Sequence, residues 1–112
     1  MRRDADYLLD ILQAARLARG FVSGKTFEGF CADMQCHFAA VRAIEVIGEA
    51  ASRVSDTTRQ EHPELPWRQM ISMRNRLIHG YDELDLTVVW DTIHDDIPPL
   101  IALLEPLVPD EE

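Results

Sequence analysis

The chain has 112 residues, a formal net charge of −9, and hydrophobic and charged fractions of 46% and 28%. These values fit one soluble globular domain and exclude a disordered or fibrous chain. No apolar run approaches the roughly 18 residues that can span a bilayer. The N-terminal stretch MRRDADYLLD lacks the apolar core of a secretory signal, so we expect a cytoplasmic protein.

The charge is unevenly distributed along the chain. Residues 1–81 carry 11 basic and 10 acidic side chains, which gives a formal charge of +1. Residues 82–112 carry ten acidic and no basic side chains, which gives a formal charge of −10. The stretch between Pro66 and Tyr81 holds three arginines and no acid. A polyanion would therefore be bound by local contacts rather than by long-range attraction. The acidic end is typical of a solvated surface or of a docking face for a basic partner.

The first half of the chain predicts two helices, because its apolar residues recur three and four positions apart. One covers Asp4 to Val22, and a longer one runs from about Phe27 to Val54. The longer helix is expected to bury one stripe: Phe27, Phe30, Cys31, Met34, Phe38, Val41 and Gly48. Two prolines and several turn formers make residues 55–67 a linker.

The second half predicts two more helices. The third runs from Pro66 to about His79, with Gly80 as its C-terminal stop. The fourth runs from Leu86 to Val108 and contains two adjacent prolines, so we expect a kink, or a break and restart, near Ile97. The fold class is therefore all-α, an antiparallel four-helix up-down bundle with a proline-kinked last helix.

Two charged residues fall on predicted apolar faces. With Trp67 at 0° and about 100° per residue, Arg74 lies at about 340°, inside the arc of apolar residues on the third helix. On the second helix, Glu45 lies at the same angle as Phe27, which belongs to the apolar stripe. Burial of an unpaired guanidinium costs several kcal/mol or more, so we expect an Arg74–Glu45 ion pair or a shared polar cleft. The alternative is that Arg74 extends its head into water. Gly48 predicts a close approach between helices.

The histidine of the third helix stands apart from its arginine. His79 and Asn75 are neighbours at i, i+4 spacing, but Arg74 and His79 diverge by about 140° on an ideal helix. Their side chains can converge only if the helix ends at His79, or if a second copy of the helix supplies the other half of the site. By spacing alone, His79 is more often a C-terminal capping residue than a catalytic one.

Other candidate sites are weaker. Cys31 and Cys36 lie five residues apart without CxxC spacing, and we interpret them as reduced apolar side chains rather than a zinc site. Asp91, His94 and Asp95 could suggest a metal site, but this spacing often arises by chance. No glycine-rich phosphate loop or nucleophile elbow is present in the sequence. We expect neither a metal nor a cofactor.

The stretch RNRLIHGY, residues 74–81, resembles the Arg-x4-His-x-Tyr signature of HEPN domains of the HepT type. The stretches RAIEVIGEAA and VVW…DIPPLI are also similar to blocks of that family. The resemblance covers nearly the whole chain. It implies a metal-independent ribonuclease, the toxin of a type VII-like toxin–antitoxin pair, built as a homodimer whose motif helices meet at a composite cleft.

The resemblance also implies roles for single residues. His79 would be the acid or base in RNA transesterification, and Arg74 would stabilise charge on the scissile phosphate. Asn75 would orient the phosphate or His79, with Arg76 and Glu45 as supporting residues. Tyr81 would accept AMP from a cognate minimal nucleotidyltransferase antitoxin, which would block the cleft.

Two hypotheses that assign the chain to other functional classes stay open. One is a non-catalytic HEPN-like helical module that binds a nucleotide or a nucleotidyltransferase. The other is a structural dimerisation bundle, which leaves Arg74 and Glu45 unexplained.

Overall fold

The computed structural model describes residues 2–77 and 85–108, and every regular element in these ranges is helical. In chain order the elements are α1 (Asp4–Val22), α2 (Phe27–Ala32), α3 (Met34–Arg53), α4 (Asp56–Glu61), α5 (Trp67–Arg76), α6 (Leu86–Asp91), a π-helical turn (Thr92–Asp96), α7 (Ile97–Leu104) and a 3₁₀ turn (Glu105–Leu107). The all-α prediction is confirmed for the described residues. The arrangement of the longer helices as an up-down four-helix bundle stays a prediction.

The first helix has the predicted bounds, but the predicted second helix is two helices. The backbone of Asp33 leaves helical geometry at φ −99° and ψ 90°, and its carboxylate accepts a hydrogen bond from the backbone N–H of Cys36 at 3.0 Å. Asp33 therefore ends α2 and caps α3. Because the chain turns at this residue, Met34 and Phe38 do not continue the stripe of Phe27 and Phe30. Their exposed fractions are 63% and 58%, so their predicted burial is wrong.

The predicted linker contains the short helix α4. Ser55 caps it, since its hydroxyl accepts a hydrogen bond from the backbone N–H of Thr58. Asp4 at the start of α1 accepts hydrogen bonds from the Ser55 N–H, the Ser55 hydroxyl and the Thr58 hydroxyl. Arg59 donates to the carbonyls of Ala51 and Ser52. Polar contacts thus fix α4 across the end of α3 and against α1.

Prolines alter the last helical run. The α-helical pattern of α6 changes to π-type bonding at Thr92–Asp96, where the Ile97 N–H bonds to the Thr92 carbonyl, and α7 starts at Ile97. Pro98 lacks an N–H and its ring crowds the preceding turn, so a regular α-helix cannot continue through it. The change in hydrogen bonding falls at the predicted position, and the backbone stays helical through it, from Asp91 to Ile97. A kink at this point stays a prediction.

The core is organised around α3. Helix α1 packs against α3 and α7, and α5 packs against the other side of α3. Helices α1 and α3 run antiparallel, because Asp4 contacts Ser55 just beyond the end of α3 and the Phe21 carbonyl accepts from the Cys36 thiol at its start. The largest fully buried side chains include Phe30, Ile11, Ile44, Ile47, Met70, Met73, Leu77, Ile93, Ile97, Leu100 and Leu104. Within residues 2–77 and 85–108, none of the helices combines the length and the apolar character needed to cross a bilayer.

Candidate functional site

A polar cleft lies between α3 and α5. The two helices approach closely at Gly48, where a Cβ atom would lie 3.0 Å from the Met70 carbonyl oxygen and 3.4 Å from that of Ile71. The predicted close approach at Gly48 is therefore confirmed. The cleft has a volume of about 290 Å³ and is lined by Glu45, Gly48, Glu49, Ser52, Ile71, Arg74 and Asn75.

Arg74 lies among the core-facing residues of α5, but its side chain is exposed. The buried residues of this helix and its cap are Met70, Met73 and Leu77, and Trp67 is only half-buried. Trp67 and Ile71 are half-buried and also pack against the core, and at about 100° per residue Arg74 lies between Met70 and Ile71 on the helix surface. The predicted position of Arg74 inside the apolar arc is therefore consistent with the structure. Its side chain is nevertheless exposed and lines the cleft.

Glu45 shares this cleft but does not pair with Arg74. Its carboxylate lies 3.7 Å from the Arg42 guanidinium, and its side chain is 30% exposed. Among the described residues, the guanidinium of Arg74 has neither a hydrogen bond nor an ion pair. Of the two arrangements that the sequence predicts for Glu45 and Arg74, the structure has the shared cleft and not the ion pair.

The two arginines of the motif point in different directions. Arg76 forms an ion pair with Asp96 at 3.5 Å, and it lies about 160° around the helix from Arg74. Asn75 lines the cleft beside Arg74, and Arg76 does not. Within one copy of the chain, Arg74 and Arg76 therefore do not act as a single cluster of phosphate contacts.

His79 and Tyr81, together with Gly80, lie outside the described residues. The described part of α5 ends at Arg76, with Leu77 as its cap. The roles of His79 and Tyr81, and the predicted end of the third helix at His79, stay predictions.

Sequence reasoning missed two cleft residues, Glu49 and Ser52. Both follow Glu45 on the same side of α3, at i+4 and i+7, and this spacing is the signal that could have found them. Glu49 forms a long ion pair with Arg53 at 3.8 Å, and the Ser52 hydroxyl donates to the Glu49 carbonyl. The cleft is therefore more acidic than predicted, with two carboxylates beside one guanidinium.

The remaining candidate residues have structural roles. The Cys36 thiol is buried and donates to the Phe21 carbonyl, and its burial raises its pKa. The imidazole of His94 stacks on Trp90 with ring centroids 4.1 Å apart, and its Nδ1 lies 2.8 Å from the Trp90 carbonyl. In the part of the chain that the structure describes, no group of three or more His, Cys, Asp or Glu side chains could hold a metal ion.

The chain belongs to the ribonuclease HepT-like family, which matches residues 11–107. The resemblance seen in the sequence is thereby confirmed at the level of the family.

Among curated proteins, a probable ribonuclease HepT of Thermococcus cleftensis is 42% identical over 106 residues, which cover 95% of this chain and 96% of that protein. A protein of Caldanaerobacter subterraneus subsp. tengcongensis is 36% identical over 89% of both chains. A protein of Methanocaldococcus jannaschii is 32% identical over 84% of this chain and 86% of its own. The names of the last two describe them provisionally as RNases. No solved structure is significantly similar to this chain.

Proposed function

We propose that this protein is an endoribonuclease that cleaves RNA without a metal ion and acts as the toxin of a toxin–antitoxin pair. Membership of the HepT-like family and the names of its relatives support the reaction class. The observation that carries the proposal is Arg74, whose guanidinium lines a polar cleft and has no carboxylate partner among the described residues. An always-charged, planar group with free donors is suited to a phosphodiester.

The proposed chemistry is transesterification at phosphorus. The 2′-oxygen of the RNA attacks the adjacent phosphorus, the bond to the 5′-oxygen breaks, and a 2′,3′-cyclic phosphate and a 5′-hydroxyl form. His79 acts as the acid or base, because an imidazole with a pKa near 6.5 can exchange protons at neutral pH. Arg74 stabilises the negative charge that builds up on the phosphoryl oxygens. Asn75, beside it in the cleft, orients the phosphate or the imidazole.

Arg76 and Glu45 have supporting roles in this proposal. Through its ion pair with Asp96, Arg76 attaches the end of α5 to the π-helical turn. Glu45 borders the cleft and sets its charge beside Arg74.

The proposal includes a homodimer. Arg74 and His79 diverge by about 140° on an ideal helix, so a second copy would complete each site by bringing its own motif helix alongside. The cleft of one copy is open to solvent at Arg74 and Asn75, both of which are exposed.

Tyr81 is the proposed control point. Its hydroxyl oxygen would attack the α-phosphorus of ATP bound to a cognate minimal nucleotidyltransferase, with pyrophosphate as the leaving group. The attached AMP would add bulk and negative charge two residues from His79 and exclude RNA. The substrate and this partner both imply action in the cytoplasm, as the sequence predicts.

The decisive experiment is RNA cleavage by the purified protein in the presence of EDTA. The parent chain is expected to cleave and to inhibit growth when expressed alone, and His79→Ala and Arg74→Ala are expected to do neither. Arg68→Ala, an exposed arginine of the same helix, is the matched control and should behave like the parent. Cleavage that survives His79→Ala would overturn the assignment of the active site.

Regulation is tested separately by co-expression with a nucleotidyltransferase encoded beside the gene. One AMP per chain, attached to Tyr81 and missing from Tyr81→Phe, is the expected result by mass spectrometry. Modification at another residue, or inhibition that Tyr81→Phe retains, would contradict this part of the proposal.

One observation favours a second candidate, a non-catalytic module that binds a nucleotide or a nucleotidyltransferase. Glu45 and Glu49 place two carboxylates in the cleft, and these repel a polyanion. In that case the purified chain binds its partner protein or a nucleotide, and it leaves RNA intact at every protein concentration.

A further inference from the structure

A second pocket lies beside the cleft, between α3 and the N-terminal part of the chain. It has a volume of about 140 Å³ and is lined by Arg2, Tyr7, Asp10, Arg42, Val46, Glu49, Ala50 and Arg53. Three of its eight lining residues are arginines, in a protein with a net charge of −9. Glu49 also lines the α3–α5 cleft, so the two depressions adjoin along the outward side of α3.

The arginines of the described chain differ in whether their donors are used. Arg2 donates to Asp10 at 2.6 Å, Arg16 to Glu105 at 2.9 Å, and Arg59 to two backbone carbonyls. The guanidinium of neither Arg42 nor Arg53 donates a hydrogen bond to any described residue. Their ion pairs with Glu45 and Glu49 are long, at 3.7 and 3.8 Å, and their side chains are mostly exposed.

Such exposed ion pairs within one helix contribute only about 0.3–0.5 kcal/mol to stability. An anion that binds guanidinium more strongly can therefore replace the carboxylates. A phosphodiester is that kind of anion, because each guanidinium can donate two parallel hydrogen bonds to its oxygens. Arg2 also lines the pocket. Its guanidinium lies 4.8 Å from the centre of the Tyr7 ring and forms an ion pair with Asp10.

We propose that Arg42 and Arg53 form a phosphate-binding subsite that holds the RNA strand beside the cleft of Arg74. This inference rests on the proposed function, because it takes RNA as the ligand. The two arginines lie eleven positions apart on α3, about 16 Å along the helix at 1.5 Å per residue. They therefore contact different phosphates of an extended single strand. In this arrangement the carboxylates of Glu45 and Glu49 hold the two arginines in place until RNA phosphates displace the carboxylates.

The test is binding and cleavage of single-stranded oligoribonucleotides of increasing length by the full chain. Arg42→Gln combined with Arg53→Gln is expected to raise KM and Kd for long oligonucleotides about tenfold at low salt, with kcat unchanged. A dinucleotide, which reaches only the cleft, should bind the parent and the double variant equally. The dependence of log K on log salt should become shallower by about 0.7 for each lost phosphate contact.

Two further variants separate a local subsite from a general effect of charge. Arg19→Gln removes the same charge from an exposed position of α1 outside this pocket and should change neither Kd nor the salt dependence. Glu49→Gln removes the competing carboxylate of Arg53 and should tighten RNA binding about threefold. Because Glu49 also repels RNA in the cleft of Arg74, the contribution of Arg53 is the part of this gain that is lost when Glu49→Gln is combined with Arg53→Gln.

The outcomes distinguish the two proposals. A parent chain that cleaves RNA, with a double variant that matches it at every length and salt concentration, overturns the subsite and leaves the ribonuclease proposal standing. A parent chain that neither binds nor cleaves RNA overturns both.

Discussion

Gly48 of α3 lies directly against the backbone of α5, where an added methyl group would fit only if the Met70 carbonyl moved away. A Cβ atom at this position would come within 3.0 Å of the Met70 carbonyl oxygen. The contact sets the distance between the helix that carries Glu45 and the helix that carries Arg74, and with it the width of the cleft.

This contact predicts opposite effects of alanine at two glycines. Gly48→Ala gains about 1 kcal/mol of helix propensity but forces two backbones apart, and overpacking of this kind costs about 1–3 kcal/mol. We expect a net loss in the free energy of unfolding. Gly20→Ala, in α1 with no atom within 4 Å of its added methyl group, should raise it by up to about 1 kcal/mol. Urea denaturation of both variants checks the difference in sign, and equal stabilisation by both would contradict the close approach.

Arg74 and Arg76 should differ in their effect on activity. Arg74→Gln removes the guanidinium from the cleft, and the loss of one charge-stabilising donor reduces kcat about 10²–10³-fold. Arg76→Gln removes an exposed ion pair to Asp96 at 3.5 Å, which contributes no more than about 1 kcal/mol to stability. Rates of RNA cleavage and melting temperatures, measured on both variants, check this prediction. A larger loss of kcat in Arg76→Gln would mean that Arg76 reaches the substrate.

Two phenylalanines that the sequence places on one stripe should differ in stability. Phe30 is fully buried, so Phe30→Ala should cost about 3–5 kcal/mol. Phe38 is 58% exposed, and Phe38→Ala should cost the folded protomer far less. Chemical denaturation of the two variants provides the comparison. Similar losses would show that Phe38 is covered in solution, as it would be at an interface between copies.

Asp4 should make stability depend on pH in the acid range. Hydrogen bonds from Ser55 and Thr58 lower the pKa of its carboxyl below the ordinary value of 3.8. A lowered pKa in the folded state means that this stabilisation is present above the unfolded pKa and is lost as pH falls through the folded pKa. At neutral pH, Asp4→Asn should therefore be less stable than the parent by about 1 kcal/mol, a value reduced for the partial exposure of the site.

The same difference should shrink as the pH falls below the folded pKa of Asp4, since the parent carboxyl is then neutral as well. Asp56→Asn, which alters an almost fully exposed carboxylate 3.9 Å from Arg59, is the control and should change stability little. A gap between Asp4→Asn and the parent that stays constant across the acid range would contradict the role of the charged form.

Several features of the fold follow from local sequence. The bounds of α1 are predicted correctly, because its apolar spacing is regular and it is followed by a glycine with φ +76° at Gly24. The change of hydrogen bonding just before Ile97 is predicted, because the proline ring that follows excludes one particular hydrogen bond. The break at Asp33 is missed, since an acid inside an apolar pattern looks like one exposed position of a continuous helix. Whether its carboxylate caps a new helix depends on the turn that the chain makes there.

The sequence by itself determined the family, the helical class, and the placement of Arg74 and Glu45 at one cleft. Those properties depend on residue type and spacing, which the chain carries locally. Only the tertiary structure decided which side of α5 is fully buried, that Arg74 has no ion pair with Glu45 while Arg76 pairs with Asp96, and that Arg42 and Arg53 border a second pocket. The physical reason is that a short helix with apolar residues around much of its circumference has no unique inner face until a neighbour packs against it. Here the neighbour is α3, and the contact at Gly48 fixes the orientation.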